Sequence, residues 1–112
     1  MKINEFIEWL NRYCEDNEIY STDSISDDDR MEVELEKCRF EYITSVDSDE
    51  HRWYVLANNV YSVTLDGCKY YIGTWEVETI KSECMSVSDC EHILKFIEME
   101  PYTTISYRKK SK

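Results

Sequence analysis

The dipeptide Asp66-Gly67 separates two runs of strand-forming residues, 61–65 and 69–72, and it constrains the fold more than any other feature of the chain. A two-residue type I′ turn needs positive φ at both central residues, and its twist matches that of the strands it joins. Asp-Gly meets that demand, so the two runs are expected to fold back on each other as an antiparallel hairpin. Residues 52–80 as a whole are rich in Trp, Tyr, Val, Ile and Thr, which suit a pleated surface. Asn58-Asn59 is a second candidate turn.

Elements at both ends carry helical signals. Ile3, Phe6, Ile7, Leu10, Tyr13 and Cys14 recur at the spacing of one helical face, which predicts an N-terminal helix. Ser88 with Glu91 forms a capping-box pattern opening a second helix, with Ile93, Leu94, Phe96, Ile97 and Met99 as its buried stripe and Pro101 as its stop. Residues 15–29 read as a polar surface loop. Met31, Val33 and Leu35 alternate with Glu32, Glu34 and Glu36, which predicts a strand, and the apolar phase then shifts to Cys38, Phe40 and Tyr42 through a bulge or break near residues 36–37. A helix competes for the same residues, because Ser26 with Asp29 can form a capping box and Met31, Leu35, Cys38 and Tyr42 share a helical face. An acidic turn is expected at Asp47, Asp49, Glu50 and His51, and a last edge strand at 103–107. Together these elements make an α+β domain spanning 1–112: an antiparallel sheet of about four strands, packed by an N-terminal and a C-terminal helix.

The charge is regional. Residues 1–50 hold sixteen Asp and Glu against five Lys and Arg, a net of −11, while residues 51–112 hold eight of each. One sign of charge gathered on one side attracts basic surfaces and repels nucleic acid and anionic membranes. No apolar run approaches membrane-spanning length, and residues 1–17 mix charged with apolar side chains, unlike a signal peptide, so a cytoplasmic location is expected. Five cysteines with no CxxC pair fit reduced thiols better than a disulfide framework.

Catalytic signatures are sparse. Two glycines cannot build a phosphate cradle, and neither GxSxG nor HExxH occurs. An enzyme would have to rely on His92 with Cys90, and the reading from the sequence is that the protein is not one. Cys68, Cys84, Cys90 and His92 form a candidate zinc set: thiolates and an imidazole suit tetrahedral Zn²⁺, although the Cys-x5-Cys-x-His spacing fits no standard motif and core packing is the plainer role of such thiols. Cys14 and Cys38 fall on apolar faces. Asp27, Asp28 and Asp29 lack the EF-hand spacing for Ca²⁺.

The acidic side chains form the strongest constellation. On a strand, Glu32, Glu34 and Glu36 would stand about 6.7 Å apart on one face, just after Asp27, Asp28 and Asp29. Such a row imitates a phosphate backbone and can occupy a basic groove; a solubilising face is the plainer alternative. Asp47, Asp49 and Glu50 extend the candidate partner-binding surface. Exposed aromatics drawn from Trp9, Trp53, Trp75, Tyr54, Tyr61, Tyr70, Tyr71 and Tyr107 would supply anchors.

A short, acidic, Tyr-rich and Gly-poor chain with the hairpin Val63-Thr-Leu-Asp-Gly-Cys-Lys-Tyr-Tyr-Ile72 and no catalytic motif resembles the small phage-encoded anti-CRISPR proteins of the type II-A, Cas9-inhibiting kind. The likeness is one of overall profile and carries no residue roles across. It implies a non-enzymatic inhibitor that blocks DNA or RNA loading into a Cas9-type nuclease, whose nucleic-acid channels are positively charged. The expected partner is therefore a basic nucleic-acid-binding surface of a host nuclease, met by a monomer or small homo-oligomer. An immunity protein or antitoxin neutralising a cognate toxin is the alternative.

Overall fold

The computed structural model describes residues 1–81 and 86–100, the side chain of Ser88 excepted. Three helices come first: α1 (Ile3–Asp16), α2 (Thr22–Ser26) and α3 (Asp29–Lys37). Strands β1 (Glu41–Glu50), β2 (Tyr54–Leu65) and β3 (Cys68–Ile80) follow, then a 3-10 turn at Val87–Cys90 and the short strand β4 (Ile97–Met99). The strands form one antiparallel sheet in the order β1-β2-β3-β4, so the fold is α+β with helices against a four-stranded sheet.

The Asp66-Gly67 hairpin forms as expected. Both residues have positive φ, 50° and 82°, and Leu65 pairs with Cys68 to begin a ladder that continues to Tyr54 and Ile80 with one register shift. Residues directly opposite in such a ladder point to the same side of the sheet. Tyr61, Val63 and Leu65 of β2 therefore share a face with Ile72, and on this face pack Phe6, Leu10 and Cys14 of α1, Ile25 of α2 and Met31 and Leu35 of α3. These side chains form one hydrophobic cluster. Against this cluster packs the partly buried Phe40, which stacks on Tyr61 at 4.9 Å, and Phe96 meets both rings edge-on.

Residues 31–36 are helical, which corrects the strand expected there. Asp28 caps α3, its carboxylate accepting from the Arg30 and Met31 backbone N–H groups at 3.0 and 3.4 Å, while Ser26 ends α2 instead of opening a capping box. Met31 and Leu35, one helical turn apart, are buried, and Val33 between them is half exposed. The apparent phase shift near residues 36–37 is the end of the helix. There Arg39 takes φ 49°, the Arg39 N–H donates to the Glu36 carbonyl and the Phe40 N–H to the Leu35 carbonyl, a Schellman closure. α1 closes in the same way through Glu18, φ 49°, and Ile19.

Three further corrections concern residues that read differently in isolation. Asn58 and Asn59 do not turn the chain: they lie inside β2, opposite Trp75 and Thr74. Asp47, Asp49 and Glu50 belong to the end of β1, and the chain reverses after them, where the His51 N–H donates to the Tyr54 carbonyl at 2.8 Å. The C-terminal helix expected from Ser88 is absent. A single 3-10 turn ends at Glu91, φ 51°, and beyond it Leu94 and Phe96 are buried while Ile93, Lys95 and Ile97 are exposed, the period of extended chain. Asn11 of α1 holds this segment like a neighbouring strand, donating from Nδ2 to the Phe96 carbonyl (3.0 Å) and accepting the Phe96 N–H at Oδ1 (2.6 Å). The Leu94 N–H reaches the Ile19 carbonyl and the Thr74 hydroxyl the Lys95 carbonyl. The strand expected at 103–107 lies outside the described residues.

Candidate protein-binding surface

Folding residues 29–37 as a helix redistributes the acidic row. At 100° per residue Asp29, Glu32 and Glu36 fall on one outward stripe, with about 6 Å between neighbours, while Glu34 turns away and pairs with Lys37 at 3.2 Å. Asp28 is spent on the cap and also accepts from the Tyr13 hydroxyl at 2.8 Å, which together with the helix N–H groups holds its carboxyl below the usual aspartate range. Asp27 closes the C-terminus of α2 and is exposed. Glu32 and Glu36 line a shallow cleft with Glu41 and Arg39, floored by Leu35 and Phe40.

The stripe belongs to a larger field. Residues 15–36 carry ten carboxylates and a single cation, Arg30, and among the described residues only Glu34 of the ten has an ion-pair partner. The C-terminus of α1, with no basic residue in its last turn, points its partial negative charge into the same region. Asp47, Asp49 and Glu50 stand apart from it at the far end of β1, beyond several residues of strand. Two of those three have partners close by: Glu50 pairs with Lys81 at 2.5 Å, which holds its carboxyl below the ordinary value, and Asp49 lies 3.0 Å from the His51 imidazole. Among the described residues, the acidic side chains named from the sequence thus divide into a helical layer with one ion pair, Glu34–Lys37, and a strand end where Asp49 and Glu50 have partners.

Beside the helical layer, α1 and α3 enclose a groove of about 550 Å³ lined by Trp9, Tyr13, Met31 and Val33, with Asp29, Arg30 and Glu34 at its rim. Apolar anchors ringed by charge are the usual anatomy of a protein-binding site. Sequence reasoning missed Val33 because a strand would have buried it with Met31 and Leu35; its helical position, out of line with that pair, is the signal.

The thiols and imidazole named for zinc are not brought together. Cys68 is exposed at the hairpin turn, whereas His92 Nε2 lies 3.0 Å from the carbonyl of Trp75, seven residues farther along β3 or about 23 Å of strand. Cys90 contacts the Ser86 carbonyl at 3.8 Å, and burial together with the neighbouring Asp89 carboxylate pushes its thiol up, away from the thiolate that binds metal or attacks substrate. Cys84 lies outside the described residues, and among the described residues no three His, Cys, Asp or Glu side chains gather as a metal site would require.

One buried carboxylate escapes a reading based on charge runs. Glu76 is 6 % exposed and accepts from the Thr22 backbone N–H at 2.9 Å, the Asn59 amide at 2.6 Å and the Tyr61 hydroxyl. It pins the start of α2 to the sheet. Its parity with Ile72 and Thr74 places it on the helix-covered face, a signal present in the sequence. Burial and the bond to Glu76 push the Tyr61 hydroxyl pKa up.

Compared with family models, with curated proteins and with solved structures, the chain finds no match. Among the described residues no helix is long and apolar enough to cross a membrane.

Proposed function

We propose that the protein is a non-enzymatic inhibitor that docks its acidic helical layer on a basic nucleic-acid-binding surface of a Cas9-type nuclease in the host cytoplasm and blocks DNA or RNA loading. One observation carries the reading: residues 15–36 present ten carboxylates, and among the described residues one of them, Glu34, has an ion-pair partner, which supports a field available to a basic surface. Desolvating a bare carboxylate is unfavourable in the free protein and becomes favourable opposite the Lys and Arg side chains of a nucleic-acid groove. Trp9 and Val33 supply an apolar anchor beside that field.

The test is a nuclease cleavage assay over a salt series, with the protein added before or after target DNA. Inhibition that weakens steeply with salt and requires addition before DNA supports competition for loading. Glu32→Lys with Glu36→Lys, on one outward stripe of α3, is expected to weaken inhibition by about tenfold or more without unfolding the chain. Reversing Asp49 and Glu50, already paired with His51 and Lys81, is expected to do much less. Normal inhibition by the Glu32/Glu36 variant overturns the acidic-layer reading. No inhibition at micromolar protein overturns the nuclease assignment and favours an immunity protein or antitoxin, whose toxin a pull-down from the native host would recover.

A further inference from the structure

β1 differs from the strands inside the sheet. The middle of β2 and β3 is buried, Val60 and Ser62 included, whereas every residue of β1 is exposed, and among the described residues its one strand neighbour is β2. An outer strand offers the backbone groups of alternate residues to a further strand, and β2 shows which residues these are. The two-residue turn makes Leu65 and Cys68 a bonded pair, so odd-numbered residues of β2 address β3 and even-numbered ones address β1. Three bonds beyond the ladders agree: the Thr64 N–H donates to the Cys38 carbonyl, the His51 N–H to the Tyr54 carbonyl and the Lys81 N–H to the Trp53 carbonyl. Tyr42, Ser45 and Ser48, opposite Tyr61, Asn59 and Ala57, therefore turn their backbone groups outward. Two of those groups use side chains next to them: the Ser48 N–H donates to the Asp47 carboxylate at 2.8 Å, and the Ser45 carbonyl accepts from the Thr44 hydroxyl at 3.4 Å. Bulges insert Ile43 and Val46 without disturbing the outward spacing, because the three outward residues still face positions of β2 that are two apart, the repeat of a regular strand. The inserted side chains, 44 and 55 % exposed, line a hollow of about 460 Å³ with Thr44, Val60 and Tyr71 on the side of the sheet away from the helices. On the same side Glu41, opposite Ser62, stands at one end of β1, and Asp47 and Asp49, opposite Asn58 and Leu56, stand at the other.

We propose that β1 takes up a fifth strand, an extended segment of another protein that carries Lys or Arg at both ends of one face and apolar side chains between them. The backbone selects the form of this partner and the side chains select its sequence. A strand paired to Tyr42, Ser45 and Ser48 sets its alternate residues opposite Glu41, then Ile43 with Thr44, then Val46 with Asp47, then Asp49, and the whole series spans about 20 Å of strand. Cations at the two ends and apolar side chains at the two inner positions complement all four. A second copy of this chain fits worse. Laid antiparallel on the same edge, it brings the Glu41 end of one strand against the Asp47 and Asp49 end of the other, carboxylate to carboxylate. The site does not draw on the helical layer, so it stands or falls apart from the nuclease reading.

The probe is a synthetic heptapeptide with lysine at its first and last positions, valine at the third and fifth and threonine at the rest, titrated into the intact protein and read by amide hydrogen exchange. At a peptide concentration about ten times its dissociation constant, exchange of the Tyr42, Ser45 and Ser48 amides is expected to slow about tenfold, following the fraction of time the edge is empty. N-methylation of the three threonines, whose N–H groups face β1, is expected to abolish the effect, while N-methylation of the two valines, whose N–H groups face away, is expected to spare it. Glutamate in place of both lysines is expected to weaken binding about tenfold or more. Ser48→Pro removes an outward N–H that β2 does not use and is expected to weaken binding likewise. No slowing at these amides overturns the proposal. So does equal binding by the two methylated peptides, which would leave side-chain contact alone as the cause, or undiminished binding of the glutamate peptide. Slowing at the same amides with rising protein concentration and no peptide also overturns it, by making a second copy the occupant. Should Ser48→Pro unfold, the two methylated peptides decide the question on the unaltered chain.

Discussion

Cys14 shows how one residue ties the helical layer to pH. It is fully buried on α1 against the sheet, and desolvation, reinforced by the nearby Glu76 carboxylate, pushes its thiol from 9.0 up to about 12. Tyr13 beside it is raised to about 12 by burial and its bond to Asp28. A group whose pKa is raised on folding supports stability fully below its unfolded value and loses that support as pH rises toward the folded one. Stability is therefore expected to fall between pH 9.0 and about 12 as the unfolded chain ionises first. Denaturation curves of Cys14→Ala should show a shallower decline across that window, whatever the variant's stability at neutral pH. The Cys14 position is legible in the sequence because it completes an i, i+4, i+8 series with Phe6 and Leu10. The Glu76 environment is only half legible: strand parity gives its face, but its three donors come from residues 15 to 54 positions away.

At the scale of elements, legibility follows the range of the information. The hairpin is legible because Asp66-Gly67 contains its own instruction, and α1 because twelve residues repeat one period. α3 is ambiguous because Met31 to Glu36 satisfies period 2 and Met31, Leu35 and Cys38 satisfy period 3.6; the Asp28 cap and the Schellman closure at Arg39 decide between them. The segment after Glu91 cannot be read locally at all, since Asn11, 85 positions away, supplies its hydrogen bonds. Asn11→Ala leaves the Phe96 N–H and carbonyl without partners and is expected to lower stability by about 2 kcal/mol in urea titration. At the two helix ends the opposite gain is available. Glu18 and Arg39 occupy left-handed positions that glycine fills at no steric cost, so Arg39→Gly is expected to raise stability by about 0.5–1 kcal/mol in the same titration.

The molecule as a whole divides its charge by layer, and this gives salt two opposite effects. The helical layer repels itself, and ions at 0.1 M screen such repulsion beyond about 10 Å. Added salt is therefore expected to raise the thermal midpoint of the free protein while weakening its hold on a basic partner. Calorimetry of the protein alone and binding measured over the same salt series should slope in opposite directions. A partner held mainly by apolar contact at Trp9 and Val33 would leave the binding curve flat. The location of the layer is partly legible, since the carboxylates crowd into residues 15–36, but their outward stripe depends on the helix that short-range alternation disguises.

The clasp between Asn11 and Phe96 also sets an order of events in time. α1 leaves the ribosome well before Leu94 and Phe96, which complete the cluster it packs into; Asn11 and Phe96 are 85 positions apart. Closing a loop of that length carries an entropy cost that local helix formation does not offset. The amphipathic helix thus waits with its apolar side incompletely covered until the segment that carries Leu94 and Phe96 has been made, and only then is the core sealed.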